Sequence, residues 1–404
     1  MKRTGVVCAA MIAGILGWSA AGQAEISDGK VKIGVLTDLS GGYEQNSGYG
    51  SVEAAKMAAE EFGGKVNGMP IEIIAGDHQN KPDLGISIAN RWFDVEQVDA
   101  VADLVNSAVA FAVLDAAKKK NKTVLLTSAG SADLTGKACA PDNSVHWVYD
   151  TYEAGNALAE AVPTLGKTWF FITADYAFGK ALQQGMTAGI TKQGAKVVGS
   201  VVAPLGTADF SSFILQAQAS KAEVVALLNG GADTTNAVKA AREFGLIEAG
   251  QKIMAGFELP GIQSAGLELT KGIVFVAPWI ETVNPQAKIF AEKFIARRKI
   301  VPSSFQVGTY SVVRSYLQAV QATNSDDPKI VIAKIRETPV NDAFTSHGRL
   351  RADGRMVHDV YLVQIKSPQE STGPDDLLKL LSTIPGDTAF RPMDQGGCPL
   401  LPKS

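Results

Sequence analysis

Val31-Lys-Ile-Gly-Val-Leu-Thr-Asp-Leu-Ser-Gly-Gly-Tyr43 decides the fold. Seven mostly apolar residues rich in Val and Ile give way to a polar loop containing two glycines, and a helical pattern follows over Ser51–Phe62. A short apolar run feeding a loop and then a helix is the opening of a strand–helix unit. The unit recurs. Ile71–Ala75, Ala100–Leu104 and Thr123–Leu126 read as strands, separated by helical patterns at Asp83–Glu96 and Ala108–Lys120. Strands alternating with helices at this rhythm require right-handed crossovers and a mostly parallel sheet.

After a connector at His146–Asp150 the rhythm restarts. Thr168–Thr173, Lys196–Ala203, Glu223–Asn229, Lys252–Ala255 and Gly272–Ala277 read as strands, with helices at Phe178–Gln193, Phe210–Ser220 and Thr234–Phe244. Asp209 and Asp233 stand where they would cap two of these helices, and Gly245 where it would end one. Beyond them, Pro285–Arg298, Ser304–Ala322 and Lys329–Glu337 read as helices. His347–Arg351 and Val357–Ile365 read as strands, paired as a hairpin through Asp353-Gly354. No Ser/Gly-rich linker separates the halves, so the chain is expected to pass between two lobes more than once.

The ends and the charge bound the class. Lys2 and Arg3, an apolar stretch from Val6 to Trp18 and the small residues Gly22 and Ala24 form the pattern of a secretory signal peptide, with cleavage expected after Ala24. The apolar run is shorter than the roughly 20 residues that span a bilayer. Cys8 lies too early to be a lipidated cysteine. Without Lys2 and Arg3, the 38 Lys and Arg fall to 36 against 41 Asp and Glu, a net of −5 with no basic block, which argues against a nucleic-acid partner. About 380 remaining residues exceed what one core usually serves, so two α/β domains are expected. Cys139 and Cys398 are then the only cysteines, and an oxidising compartment favours pairing them over two free thiols. In the chain-entropy account so long a loop is worth on the order of 5 kcal/mol.

Enzyme signatures fail on spacing. Gly41, Gly42, Gly48 and Gly50 follow the first strand, but the dinucleotide fingerprint needs its first glycine directly after the strand and its third at the helix start. Gly130 to Lys137 has one residue too many for a phosphate-binding loop, and Ala138 stands where a hydroxyl should bind magnesium. There is no G-x-S-x-G elbow, and His78, His146, His347 and His358 lack the i, i+4 pairing of a helical zinc site. No catalytic residue, metal site or cofactor is expected.

The motifs in order resemble the Leu/Ile/Val-binding-protein family of type I periplasmic binding proteins. The likeness runs from Val31–Tyr43 through Gly48–Phe62, Val66-Asn-Gly-Met-Pro-Ile71, Val105-Asn106-Ser107-Ala108 and Thr127 to Thr135. It continues through Ala174-Asp175-Tyr-Ala-Phe178-Gly179 and Asn229-Gly-Gly-Ala232-Asp233, over roughly residues 28–366. The resemblance implies two doubly wound α/β lobes joined by three crossing strands: residues 25–149 with 279–354, and residues 150–278 with 355–404, the latter ending in an extension the family pattern lacks. It implies a monomer that binds a small carboxylate between its lobes, in the periplasm, and delivers it to an ABC permease in the inner membrane. A sensor reporting to a membrane receptor is the alternative use of the same cleft.

By the same resemblance Asn106, Ser107, Ala129 and Ser131 would hold the carboxylate, at loop-to-helix turns where helix starts favour anions. Pure helix capping by the two serines is the bland alternative. Tyr43, Tyr176 and Phe178 would pack on an apolar or aromatic body. Asp233 and Glu258 are the candidates for an ammonium. Whether Glu258 or its neighbour Phe257 faces the cleft stays open, and with it the choice between a branched-chain amino acid and an aromatic acid.

Overall fold

The computed structural model describes residues 26–401; the expected signal peptide and its cleavage after Ala24 lie outside them. Two sheets organise the chain. The first contains the strands Lys65–Val66, Met69–Asp77, Val31–Thr37, Ala100–Asp103, Thr123–Leu126 and Ser144–His146 in that spatial order, parallel apart from the short first pairing. The second runs Leu378–Ile384, Val360–Ile365, Val274–Ala277, Lys252–Ala255, Val224–Leu228, Thr168–Ala174 and Lys196–Ala203. Its last two C-terminal strands are antiparallel additions to a parallel core. Central strands such as Val224–Leu228 are buried throughout, as a sheet covered by helices on both faces requires.

The chain crosses between the sheets three times: after Ser144–His146, after Val274–Ala277, and between Val357 and Val360. The hairpin Arg349–Leu350 with Met356–Val357 is a separate two-stranded sheet, held beside the first sheet by a bridge between His146 and Arg355. The expected single strand Val357–Ile365 is therefore two strands in different sheets, broken at the crossing. Two elements around the first crossing went unread in the sequence. Residues 144–146 of the expected connector region form a strand, and Thr151–Leu158 forms a helix capped by Asp150, whose carboxylate accepts from the N–H groups of Tyr152 and Glu153 at 2.9 and 2.8 Å.

Helix Thr151–Leu158 packs face to face on helix Ala177–Lys192 at glycines. A Cβ on Gly155 would lie 2.4 Å from the carbonyl of Gly185, so any larger residue would force the helices apart. The long helix Ser304–Thr323 begins in a capping box, with Ser303 Oγ accepting from Gln306 N and Gln306 Oε1 accepting from Ser303 N. It lies buried against helix Gly48–Glu61 of the first lobe. Among the described residues no helix is long and apolar enough to cross a membrane.

The C-terminal extension adds the strand Leu378–Ile384 to the second sheet and then turns back. Phe390 packs on the buried guanidinium of Arg355, 4.6 Å from ring centroid to Cζ, and Arg391 donates to the carbonyl of Ala132 at 2.8 Å. Cys398 is joined to Cys139 of the first lobe, with their Cα atoms 5.6 Å apart. The extension is thus a fourth, covalently sealed connection between the lobes.

Candidate functional site

Between the lobes lies a cavity, partly open to solvent, that encloses about 900 Å³ of space when its open mouth is included. Aromatic side chains from both lobes wall it: Tyr43, Tyr149 and Phe305 on one side, Tyr176, Phe178 and Phe257 on the other. They also join the lobes. The hydroxyls of Tyr43 and Tyr176 are 2.6 Å apart and Phe178 meets Tyr149 edge-on at 6.4 Å, while within the first wall Tyr149 stacks on Phe305 with centroids at 5.3 Å. Backbone contact closes the mouth, where Ala232 N donates to Gly42 O at 2.9 Å. Gly231, at φ +59°, permits it: a Cβ there would sit 2.3 Å from the Gly42 carbonyl oxygen.

The first-lobe floor is built by strand ends. Strand Ala100–Asp103 stops in two residues with positive φ, Asp103 at +80° and Leu104 at +63°, a turn that costs conformational energy and brings Val105 to the cavity wall. The expected carboxylate residues Asn106, Ser107, Ala129 and Ser131 are not among its lining residues. Asn106 caps the following helix, accepting from the N–H groups of Ala108 and Val109 at 2.9 and 3.4 Å. That leaves the N–H of Ser107 as the unmatched donor of the first turn. Ser107 Oγ accepts from Ser131 N at 3.2 Å, tying the two expected carboxylate turns together. The carbonyl of Ala129 accepts from Nε2 of His146 at 2.6 Å; burial holds that imidazole well below its usual pKa, hence neutral. The four residues are buried side by side, and the cavity reaches Val105 and Ser128 immediately before each turn. Behind them Ser47 and Ser128 donate to the buried carboxyl of Asp103, whose pKa burial raises.

Phe257 and Glu258 both line the cavity, which settles the register left open by the sequence. Glu258 accepts from the backbone N of Ser304 at 2.7 Å and from its hydroxyl at 2.6 Å, at the start of the long helix. Burial pushes its carboxyl up to about 7 despite those bonds. Asp233 caps nothing: it sits in the first turn of helix Ala232–Glu243 and accepts from Gly206 N at 2.9 Å, fastening a neighbouring loop.

The sequence reading overlooked the second-lobe depth of the cavity. Glu153, from the unread helix, lines it, as do Met186, Met254 and Phe275. A glutamate in a short helix gives no sign of burial in sequence. Asn229, quoted only as part of a motif, ends strand Val224–Leu228 and lines the cavity too. Among the described residues no cluster of three His, Cys, Asp or Glu could hold a metal.

Residues 30–373 match the periplasmic binding protein family. A periplasmic binding protein from Burkholderia mallei is 42% identical, with a TM-score of 0.88 over 92% of this chain and 99% of that one. A branched-chain amino acid ABC transporter periplasmic ligand-binding protein from Burkholderia xenovorans LB400 is 36% identical, with a TM-score of 0.81 over 92% and 100%. The Leu/Ile/Val-binding protein homolog 6 of Brucella melitensis is 27% identical over 233 residues, 57% of this chain and 58% of its own length, so the chain spans little more than half of the curated relatives it matches. These relatives are binding proteins by name. Two α/β lobes closed around an aromatic-walled cavity, together with a family match over most of the chain, make it a member of the periplasmic binding protein family.

Proposed function

We propose that the chain is the substrate-binding subunit of an ABC-type importer, exported to the periplasm by a cleaved signal peptide and taking a small carboxylate into the cavity between its lobes. The observation that carries this reading is that aromatic and polar side chains from both lobes meet across one cavity, Tyr43 against Tyr176 above all. Ligand closure would draw the lobes together, and the closed form would offer both outer faces to a permease.

Asn106, Ser107, Ala129 and Ser131 are assigned the carboxylate, the N–H of Ser107 acting as an anion donor at a helix start. Tyr43, Tyr176, Phe178 and Phe257 are assigned the apolar body. With Asp233 spent on Gly206, Glu258 is left as the candidate partner for an ammonium.

Thermal melting of the mature protein, refolded to strip bound solute, tests this against leucine, valine, benzoate, cinnamate and their amides. Ligand at 100 times Kd stabilises by about 2.7 kcal/mol. At least one acid should raise the melting temperature while its amide does not. Absence of a shift with every acid, or chemical turnover of one that binds, would reject the reading.

A further inference from the structure

The cavity has two chemically different ends. Toward the first lobe it meets Asn46, Val105 and Ser128; into the second it runs among Leu158, Leu182, Met186 and Met254, an apolar lining interrupted by Glu153 and Asn229. Glu153 is 1% exposed and Asn229 3%. Among the described residues no protein group hydrogen-bonds the Oε1 of Glu153 or either amide atom of Asn229. Buried carboxyl and amide groups without partners cost stability and are rare unless something outside the fold satisfies them.

The surroundings restrict that something. Burial, reinforced by the neighbouring Asp150, holds the Glu153 carboxyl far above the usual carboxylate range. Burial thus favours the protonated carboxyl, which presents one O–H donor and one carbonyl acceptor. The charge of Asp150 is already matched by Arg355, fully buried at 3.6 Å, whose guanidinium also donates to Tyr149 O at 3.0 Å. A ligand cation placed here would face that guanidinium and lose its hydration among apolar side chains. A hydroxyl fits both needs, accepting from the carboxyl O–H while donating to an acid or amide carbonyl.

We propose that Glu153 and Asn229 form a subsite for a hydroxyl group at the far end of the ligand, so that the solute is a carboxylate whose apolar body ends in a hydroxyl, a hydroxyaryl acid being the simplest case. This deepens the carboxylate-binding reading and rests on it. The acid group lies at the first-lobe turns, the ring passes between the aromatic walls, and the hydroxyl reaches into the second lobe.

Calorimetric titration of the refolded mature protein with matched pairs tests it: benzoate against 4-hydroxybenzoate, cinnamate against 4-hydroxycinnamate, with 4-(aminomethyl)benzoate as the cationic control. In at least one pair the hydroxylated acid should bind about tenfold tighter or more. Glu153→Met should bring that ratio to about one, and Glu153→Gln, which still donates and accepts, should keep most of it. Glu153→Met should melt, ligand-free, no lower than the wild type, because it removes an unsatisfied buried group. Equal affinities within both wild-type pairs would overturn the inference while leaving carboxylate binding intact. So would a Glu153→Met variant that melts lower with its ratio unchanged, or tightest binding of the aminomethyl acid with loss in Glu153→Gln. Failure of every acid to bind the wild type would defeat the carboxylate reading, and this inference with it.

Discussion

Both walls of the cleft are made from strand ends running into helices, yet the side chains next to the cavity differ. Asn106 and Ser107 of the first-lobe turns are paired, although Asp103 Oδ2 and His146 Nδ1 behind them are buried without a partner, whereas two cavity-lining side chains of the second lobe are unpaired. On the first lobe Asn106 serves two N–H groups, Ser107 takes the N–H of Ser131, Ser47 and Ser128 serve Asp103, and Ala129 is held by His146. On the second lobe Glu153 and Asn229 keep buried polar atoms with no protein partner. A wall whose side chains hold one another fixes the position of its backbone donors before any ligand arrives, which reduces the ordering cost of binding. A wall with unsatisfied atoms discriminates, because a ligand lacking the matching group leaves them unpaired. Under the proposed function, anchoring falls to the first lobe and selection to the second.

The largest expected effect comes from keeping the two walls apart. Gly231→Val places a side chain against the Gly42 carbonyl and the Tyr43 ring, and affinity should fall by roughly tenfold to a hundredfold. Gly42→Ala is the control, since its Cβ meets only Ala232 Cβ at 3.7 Å. If titration finds both variants binding like the wild type, the walls do not meet as described. Next in size is the anchoring wall itself: Ser107→Ala combined with Ser131→Ala should weaken binding of the identified acid by about tenfold while costing only about 1 kcal/mol of stability in denaturant unfolding. Unchanged affinity with lowered stability would reduce the two serines to helix-start structure.

The smallest effect sharpens the boundary between the walls at Glu258. Its folded pKa of about 7 lies above the ordinary value of 4.5, so folding favours the protonated form. Its contribution is full below pH 4.5 and is lost as pH rises through about 7. Relative to Glu258→Gln, the wild type should lose about 1–3 kcal/mol between those limits. A difference that does not change with pH would place Glu258 in contact with water rather than in the closed cavity.

Much of the frame was legible. Val31–Thr37, Thr123–Leu126, Lys196–Ala203, Lys252–Ala255 and Pro285–Arg298 occur where the apolar runs and breakers placed them. Buried parallel strands advertise themselves as continuous β-branched runs, and helices as periodic ones. The unread elements lack those signals. Leu378–Ile384 is a half-exposed edge strand interspersed with Lys379, Ser382 and Thr383, and Thr151–Leu158 has only eight residues. Of the site, the aromatic positions Tyr43, Tyr176 and Phe178 were readable as residues at loops after strands, and they line one cavity together with Phe257 and Glu258, between which the sequence left the choice open. Glu153 was not readable, because an acid in an eight-residue helix carries no sign of burial in sequence. Asp233 misled for the complementary reason: an acid in a first helical turn looks like a cap, whereas its partner Gly206 lies on another loop.

The Cys139–Cys398 bond encloses 259 residues of separation, and with them the whole second sheet and all three crossings between the lobes. A protease that cuts once anywhere inside that span therefore opens a ring without dividing the molecule. Both fragments stay attached and migrate as one species until a reductant is added. Exported as proposed, among proteases and without chaperones driven by ATP, a nicked copy would remain a whole one.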